Sequence, residues 1–403
     1  MENNRMVQKF FQLLRYSIGA SDEVPDITSD EEWNDIYEMA VMQSILGVMF
    51  EGVQRLGVQD VKPPLPLLMD WVAAVEEIED RNREVNRAAV KLLAQLRQDG
   101  FEGCILKGQG NNLMYPNVYS RMSGDIDVWV RRVESLELRV ESGESLEYRA
   151  KSLEEKVREV IRYVKERNPK ARALYHHIDY GEFDGIEVEM HYRPSFMNNL
   201  IHNGRMQRWI EEVADEQFRH EVELPDGVGK FCVPTRAFNR IYHLSHLSRH
   251  VFHEGIGLRQ ILDYFFLLRG GSSGLSVESL EELGVRNEEL GVRNEELGMT
   301  LKRLGLWKIA RAVMWVLHEV LGLEDECLIA PVDERLGKVL LSEIMQGGNF
   351  GQYDEQNIKA NSPIKKNWQR IRRDFRMMRY FPSECLWEPV FRIWHFFWRV
   401  SMR

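Results

Sequence analysis

The segment ILKGQGNNLMYPNVYSRMSGDIDVWV, Ile105 to Val130, constrains the fold more than any other part of the chain. In DIDVWV, Ile126, Val128 and Val130 alternate with Asp125, Asp127 and Trp129. Alternation of period two marks a half-buried strand, because successive side chains leave opposite faces. Asp125 and Asp127 are therefore expected on one face, about 6 to 7 Å apart. Like charges so placed repel unless a cation or solvent relieves them. A divalent metal is the first candidate.

The flanks of that strand extend the pattern. GCILKG is a short apolar strand and QGNNLMY a helix start, so the order is strand, glycine turn, helix, acidic strand. Free backbone N–H groups at such a turn can receive a phosphate, which singles out Gly108 and Gly110. Lys107 and Arg121 are candidate charge partners for phosphate oxygens, Arg being able to bind bidentately. Gly124 stands directly before the acid pair. Further on, RALYHHIDYGEF and GIEVEMHYR are expected to pair as strands, with a turn near Phe183 to Gly185. In the second, Ile186, Val188 and Met190 face one way and Glu187, Glu189 and His191 the other. A neighbouring strand would thus bring Glu189 or Glu187 beside the two aspartates. Phosphoryl-transfer metal sites need about three carboxylates, since Mg2+ prefers hard oxygen ligands.

The rest of the chain is expected to be mostly helical, which makes the fold class α+β: a small mixed-sheet core flanked by N- and C-terminal helical regions. Ser29 and Glu32 in SDEEW form a capping-box pattern that leads into NDIYEMAVMQSILGVMFEGVQRLG, stopping at Gly57. A second long helix follows from about Met69 to Gln98. At 403 residues two or three domains are expected. The divisions are 1–100 helical, 101–234 core with a charged insertion near 132–170, and 235–403 helical with a repeat insertion near 276–298. EELGVRN occurs twice in succession from Glu281 to Asn294. Gly in every copy makes it a poor coiled coil, and it reads as solvated.

The formal net charge of -10 argues against generic nucleic-acid binding by the whole chain. Its distribution is uneven, with ten Lys or Arg against three Asp or Glu between Asn361 and Arg403. There, CLWEPVFRIWHFFWRVSMR is amphipathic if helical. Trp387, Phe391, Trp394 and Trp398 form one stripe, with Arg392, Arg399 and Arg403 on another side. A core-packing helix with a cationic face is the expectation, and a membrane surface or nucleic acid are the other partners such a helix suits. Four widely separated cysteines, Cys104, Cys232, Cys327 and Cys385, match neither a zinc spacing nor a disulfide framework. The N-terminus lacks a signal-peptide pattern and no apolar run approaches a transmembrane length, so a cytoplasmic location is expected.

The histidines read mainly as structural. His191 can orient Glu189, contact substrate or simply be hydrogen-bonded. His176 and His177 should face opposite ways if YHHIDY is a strand, which makes them a poor joint metal site. His243, His246, His250 and His253 share a helix face by spacing but lack a His-Glu-x-x-His pattern, so a polar or substrate-side lining is expected.

The order of these elements resembles the polymerase-beta-type nucleotidyltransferase superfamily. More closely, LKG, MYP, RMSGDIDVWV and VEMHYRP, spanning about Ile105 to Pro194, resemble a poorly characterised bacterial nucleotidyltransferase family. The resemblance implies that Gly108 belongs to the nucleotide-phosphate turn, that Asp125 and Asp127 hold metal, and that Glu189 is the third carboxylate. Many superfamily members have a small residue after the turn glycine where this chain has Gln109. Lys107, Gly110, Arg121 and Gly124 complete the expected nucleotide-binding set. The implied reaction moves a nucleoside monophosphate from an NTP donor to an acceptor hydroxyl with Mg2+ or Mn2+, two ions in all, and releases pyrophosphate. The acceptor is a small molecule, a protein or RNA. The alternatives are an Asp-x-Asp metal-dependent glycosyltransferase and a catalytically silent module that binds nucleotide or protein.

Overall fold

Helices with one strongly apolar face open the chain, and each buries that face against the others. The computed structural model describes residues 2–133, 152–253, 255–270, 287–348, 371–372 and 374–402. Helices α1 (Glu2–Ser17), α2 (Asp30–Met42) and α3 (Leu46–Gly57) precede the long α4 (Leu65–Gln98). Ser29 caps α2 by accepting from the Glu32 N–H, while the Glu32 carboxylate accepts from the Thr28 N–H at 2.8 Å rather than from Ser29. The single helix expected up to Gly57 is broken at Gln43–Ile45, where Ser44 takes a φ of 56°. Gln43 explains the break: its buried amide donates to Ile344 O at 3.1 Å and accepts from Leu258 N at 2.8 Å. Helix α4 starts earlier than expected, since a proline in the first turn loses no helical hydrogen bond.

The sheet has six strands in the order β3-β4-β2-β1-β6-β5. These are β1 (Phe101–Ile105), β2 (Ile126–Arg132), β3 (His177–Phe183), β4 (Ile186–His191), β5 (Glu221–Glu223) and β6 (Lys230–Cys232). β2 runs antiparallel to β1 and parallel to β4, and β3 closes the hairpin with β4. One face carries Ile126, Val128, Val130, Ile186, Val188 and Met190, all buried under α4 and α6 (Leu153–Arg167). The charged insertion expected near 132–170 therefore contains a structural layer. Val157, Val160, Ile161 and Val164 of α6 are buried in this core, and residues 134–151 lie outside the described chain.

The other face meets the C-terminal helices. After the one-turn α5 (Gln109–Asn112), α7 (Leu200–Glu212) and α8 (Ala214–Gln217) come α9 (Arg236–His253) and α10 (Leu258–Arg269). Then follow α11 (Asn287–Arg303), α12 (Trp307–Trp315), α13 (Glu334–Gly347) and α14 (Pro382–Ser401). The repeat segment is helical from Asn287 onward, with Leu301 buried, and residues 271–286 lie outside the described chain. Helices from both ends of the chain share one hydrophobic core, from Phe10 and Trp71 to Leu317 and Ile344. Helix α14 turns Phe391 and Trp398 into the sheet core and leaves Leu386, Ile393 and Phe397 exposed. No described helix is long and apolar enough to cross a membrane. Cys104 and Cys232, far apart in sequence, are opposite one another on β1 and β6, and both are free thiols.

Candidate active site

Sheet register assembles the acidic residues. β2 and β4 pair Asp127 with Glu189 and Trp129 with His191, while β3 and β4 pair Asp179 with Glu189 and His177 with His191. Three adjacent strands thus set Asp127, Glu189 and Asp179 in one row. Trp129, His191 and His177 form the next. Asp125 lies one residue before β2, at the strand's mouth. Glu187 is exposed and pairs with Glu182, so of the two glutamates it is Glu189 that lies beside Asp127.

Two donors, the partly buried Lys107 and the buried His191, hold this row. Lys107, just past the end of β1, places Nζ 3.0 Å from Asp127 Oδ2. His191 Nε2 lies 2.8 Å from Asp127 Oδ1 and 3.3 Å from Glu189 Oε2. Burial would raise the Asp127 carboxyl, but the Lys107 charge and the His191 hydrogen bond outweigh it and hold the group well below the usual range. The neighbouring Asp125 moves the other way, pushed up to about 6 first by the Asp127 charge and then by burial. Glu189 is held at about 2, since the hydrogen bond from His191 and the nearby imidazoles overcome its burial. Burial lowers His191, and its two carboxylate partners more than reverse that. Two adjacent aspartates with oppositely displaced affinities are what like charges produce when one has a lysine and the other shares little of it.

A cleft opens over Asp125 and Asp127. Lys107, Gly108 and Gly124 line it from the sheet side, and Tyr242, His243, His246 and Arg259 from α9 and α10. Gly108 takes a φ of 62°, in the left-handed region that favours glycine. Gly110 points elsewhere: a Cβ there would stand 2.9 Å from Val233 Cγ1, so its smallness serves packing of α5 against the strand end. Gln109 also turns inward, donating to Asn86 Oδ1 at 2.8 Å.

Arg121, expected to meet phosphate, lines the cleft and is ion-paired within the protein. Its Nε and Nη2 donate to the two oxygens of Asp263 on α10, at 2.6 and 2.9 Å, and both side chains are buried. Tyr115 and Asn111 donate to the same carboxylate at 2.7 and 3.1 Å. The fork expected to meet phosphate is thus neutralised inside the protein. Arg259 of α10 also lines the cleft, donating through Nη1 to Met122 O at 3.0 Å; burial and then Arg121 push it down to about 10, so it is still charged near neutrality. Both Arg259 and Asp263 come from LRQILDYFFLLR, where a charged residue inside an apolar helix signals a buried partner.

Histidines crowd the far end of the cleft. His243 is pushed down to about 4 and His246 well below its usual value by burial, so both are neutral. Among the described residues, the buried His243 Nε2 and Tyr242 hydroxyl have no hydrogen-bond partner. His176 and His177, expected to oppose each other, have rings 4.3 Å apart, because β3 begins only at His177 and His176 belongs to the preceding turn.

A family model described as an uncharacterised nucleotidyltransferase matches residues 29–321. The chain belongs to that family. No curated protein and no solved structure matches it. The match runs from α2 through the sheet to the turn after α12, so the helices that wall the cleft fall within it along with the acidic strands. The donor set suits a divalent ion: Asp127, Glu189 and His191 offer ligand atoms within 4.8 Å of one another.

Proposed function

We propose that the protein transfers a nucleoside monophosphate from an NTP to an acceptor hydroxyl in a metal-dependent reaction that releases pyrophosphate. The observation that carries this reading is the pairing of Asp127 with Glu189 across adjacent strands, beside Asp125, Lys107 and Gly108, in a member of a nucleotidyltransferase family.

Asp125, Asp127 and Glu189 would hold Mg2+ or Mn2+. When bound, the ions neutralise triphosphate charge and lower the cost of alkoxide attack. The chain's own groups do the rest. The backbone at Gly108 and Gly124 lets phosphates approach the sheet mouth without side-chain obstruction. Lys107 stays protonated, since the charge of Asp127 outweighs its burial, and with Arg259 it offsets charge that grows on the departing pyrophosphate. Glu189, less buried than Asp127, completes the ligand set or accepts the hydroxyl proton. The unpartnered Tyr242 hydroxyl and His243 Nε2 supply neutral hydrogen-bonding groups for the substrate on the α9 side. The acceptor, whether small molecule, protein or RNA, enters from that wall.

A thermal-unfolding titration with ATP, GTP, CTP and UTP, each with Mg2+ or Mn2+, tests the reading. At about a hundred times Kd, one nucleotide should stabilise the protein by about 2.7 kcal/mol. The Asp125→Asn, Asp127→Asn double variant should lose the metal-dependent part. Four nucleotides without effect on the wild-type midpoint would overturn the assignment.

A further inference from the structure

We propose that His177, Asp179 and Glu189 form a second metal site, selective for a borderline divalent ion such as Co2+ or Zn2+ over Mg2+. It extends the transfer reading by giving a second ion its ligands, and it rests on that reading only through the shared Glu189.

The row Asp127–Glu189–Asp179 places carboxylates directly across from one another on three strands. Like charges so placed destabilise a sheet. At one end Lys107 relieves Asp127. At the other, neither Glu189 nor Asp179 has a Lys or Arg partner among the described residues, only imidazoles: His177 Nε2 lies 3.2 Å from Asp179 Oδ1, and His177 Nδ1 and His191 Nε2 lie 3.4 and 3.3 Å from Glu189 Oε2. The three residues offer ligand atoms within 4.8 Å of one another.

Local structure aims these groups. β3 shifts register between Asp179 and Gly181, a bulge that keeps Asp179 level with Glu189 while the strand bends away beyond it. His177 Nδ1 lies 2.9 Å from His176 Nε2, which leaves His177 Nε2, facing Asp179, as the ligating nitrogen. A ligating histidine is commonly held in this way through its second nitrogen. Three protein ligands leave positions for water or a phosphate oxygen. The ligand types set the selectivity. Mg2+ favours oxygen donors and gives up water reluctantly, whereas an imidazole with two carboxylates suits Co2+ or Zn2+.

The test is a Co2+ titration of the metal-stripped full-length protein, read by visible d–d absorption. The wild type should bind Co2+ with an imidazole-bearing spectrum that excess Mg2+ does not displace, and the signal should persist in the Asp125→Asn, Asp127→Asn variant. Asp179→Asn, at a half-exposed position that the fold tolerates, and His177→Gln should each weaken Co2+ binding at least about tenfold. Co2+ affinity unchanged in both variants, no Co2+ bound by the wild type, or displacement by equal Mg2+ would overturn the site. Failure of the transfer reading is separate: it appears as no NTP-dependent shift in the wild type while Co2+ binding at His177 stands.

Discussion

Two buried carboxylates, Asp127 and Asp263, stand on opposite walls of one cleft, and each has a cation beside it. Asp263 is saturated: the Arg121 fork, Tyr115 and Asn111 supply four hydrogen bonds to its two oxygens. Asp127 has Lys107 on one oxygen and His191 on the other, but Asp125 and Glu189 crowd it with further negative charge. The first arrangement is closed. It ties the loop after α5 to α10 and sets the width of the cleft. The second keeps an excess of acid that an added cation can relieve. Burial and pairing alone do not separate a structural ion pair from a reactive one; the count of unsatisfied like charges around it does.

The largest effect that would sharpen this contrast comes from the closed pair. Arg121→Ala or Asp263→Ala should each cost about 3–5 kcal/mol in denaturant unfolding, because a buried charge is left without its partner. Replacing both with apolar residues of similar volume should cost much less than either single change. If the single variants unfold like the wild type, Arg121 does not pin the cleft and becomes available to phosphate after all.

A third carboxyl extends the comparison to the case of no cation. Glu384 on α14 is buried, its Oε1 has no hydrogen-bond partner among the described residues, and burial pushes it up to about 7 against a backbone hydrogen bond from Asn198. Its folded affinity exceeds the unfolded value of 4.5, so its contribution is full below that value and is lost as pH rises through about 7. The shift corresponds to about 3 kcal/mol at higher pH. Glu384→Gln should therefore stabilise the protein by about that amount near pH 8 and leave it almost unchanged near pH 4. Equal effects at the two pH values would show that Glu384 does not hold a proton in the folded state.

The acidic strand was legible because alternation in DIDVWV is local, and so was the strand with Glu189, since GIEVEMHYR alternates in the same way. What joins them is register. Asp127 falls opposite Glu189 because β2 and β4 are parallel neighbours, and only the resemblance pointed to Glu189 over Glu187. The Arg121–Asp263 pair, 142 residues apart, has no local pattern at all. The same holds for Gln43, which joins segments 301 residues apart and breaks a helix that periodicity alone would continue. His176 and His177 were misjudged for a finer reason. Opposite facing requires both to be in the strand, and the strand starts between them. Long-range polar pairs and element ends are where sequence periodicity carries least information, and they are what shape this cleft.

The smallest effect concerns Gln109, where the chain departs from the small residue common at this turn. The positive φ of Gly108 sends the next side chain into the protein body rather than toward the cleft. There Gln109 Nε2 donates to Asn86 Oδ1 at 2.8 Å and Asn82 O at 3.3 Å, and its Oε1 accepts from Ser123 at 3.0 Å. Its role belongs with the closed pair: it anchors the turn to α4. Gln109→Gly should then cost about 1–2 kcal/mol of stability, through lost hydrogen bonds and a freer backbone. The rise in unfolding midpoint produced by a saturating nucleotide should stay as it is in the wild type. A larger nucleotide-induced rise in Gln109→Gly would mean that the side chain obstructs the triphosphate, and the turn would then belong with the reactive wall instead.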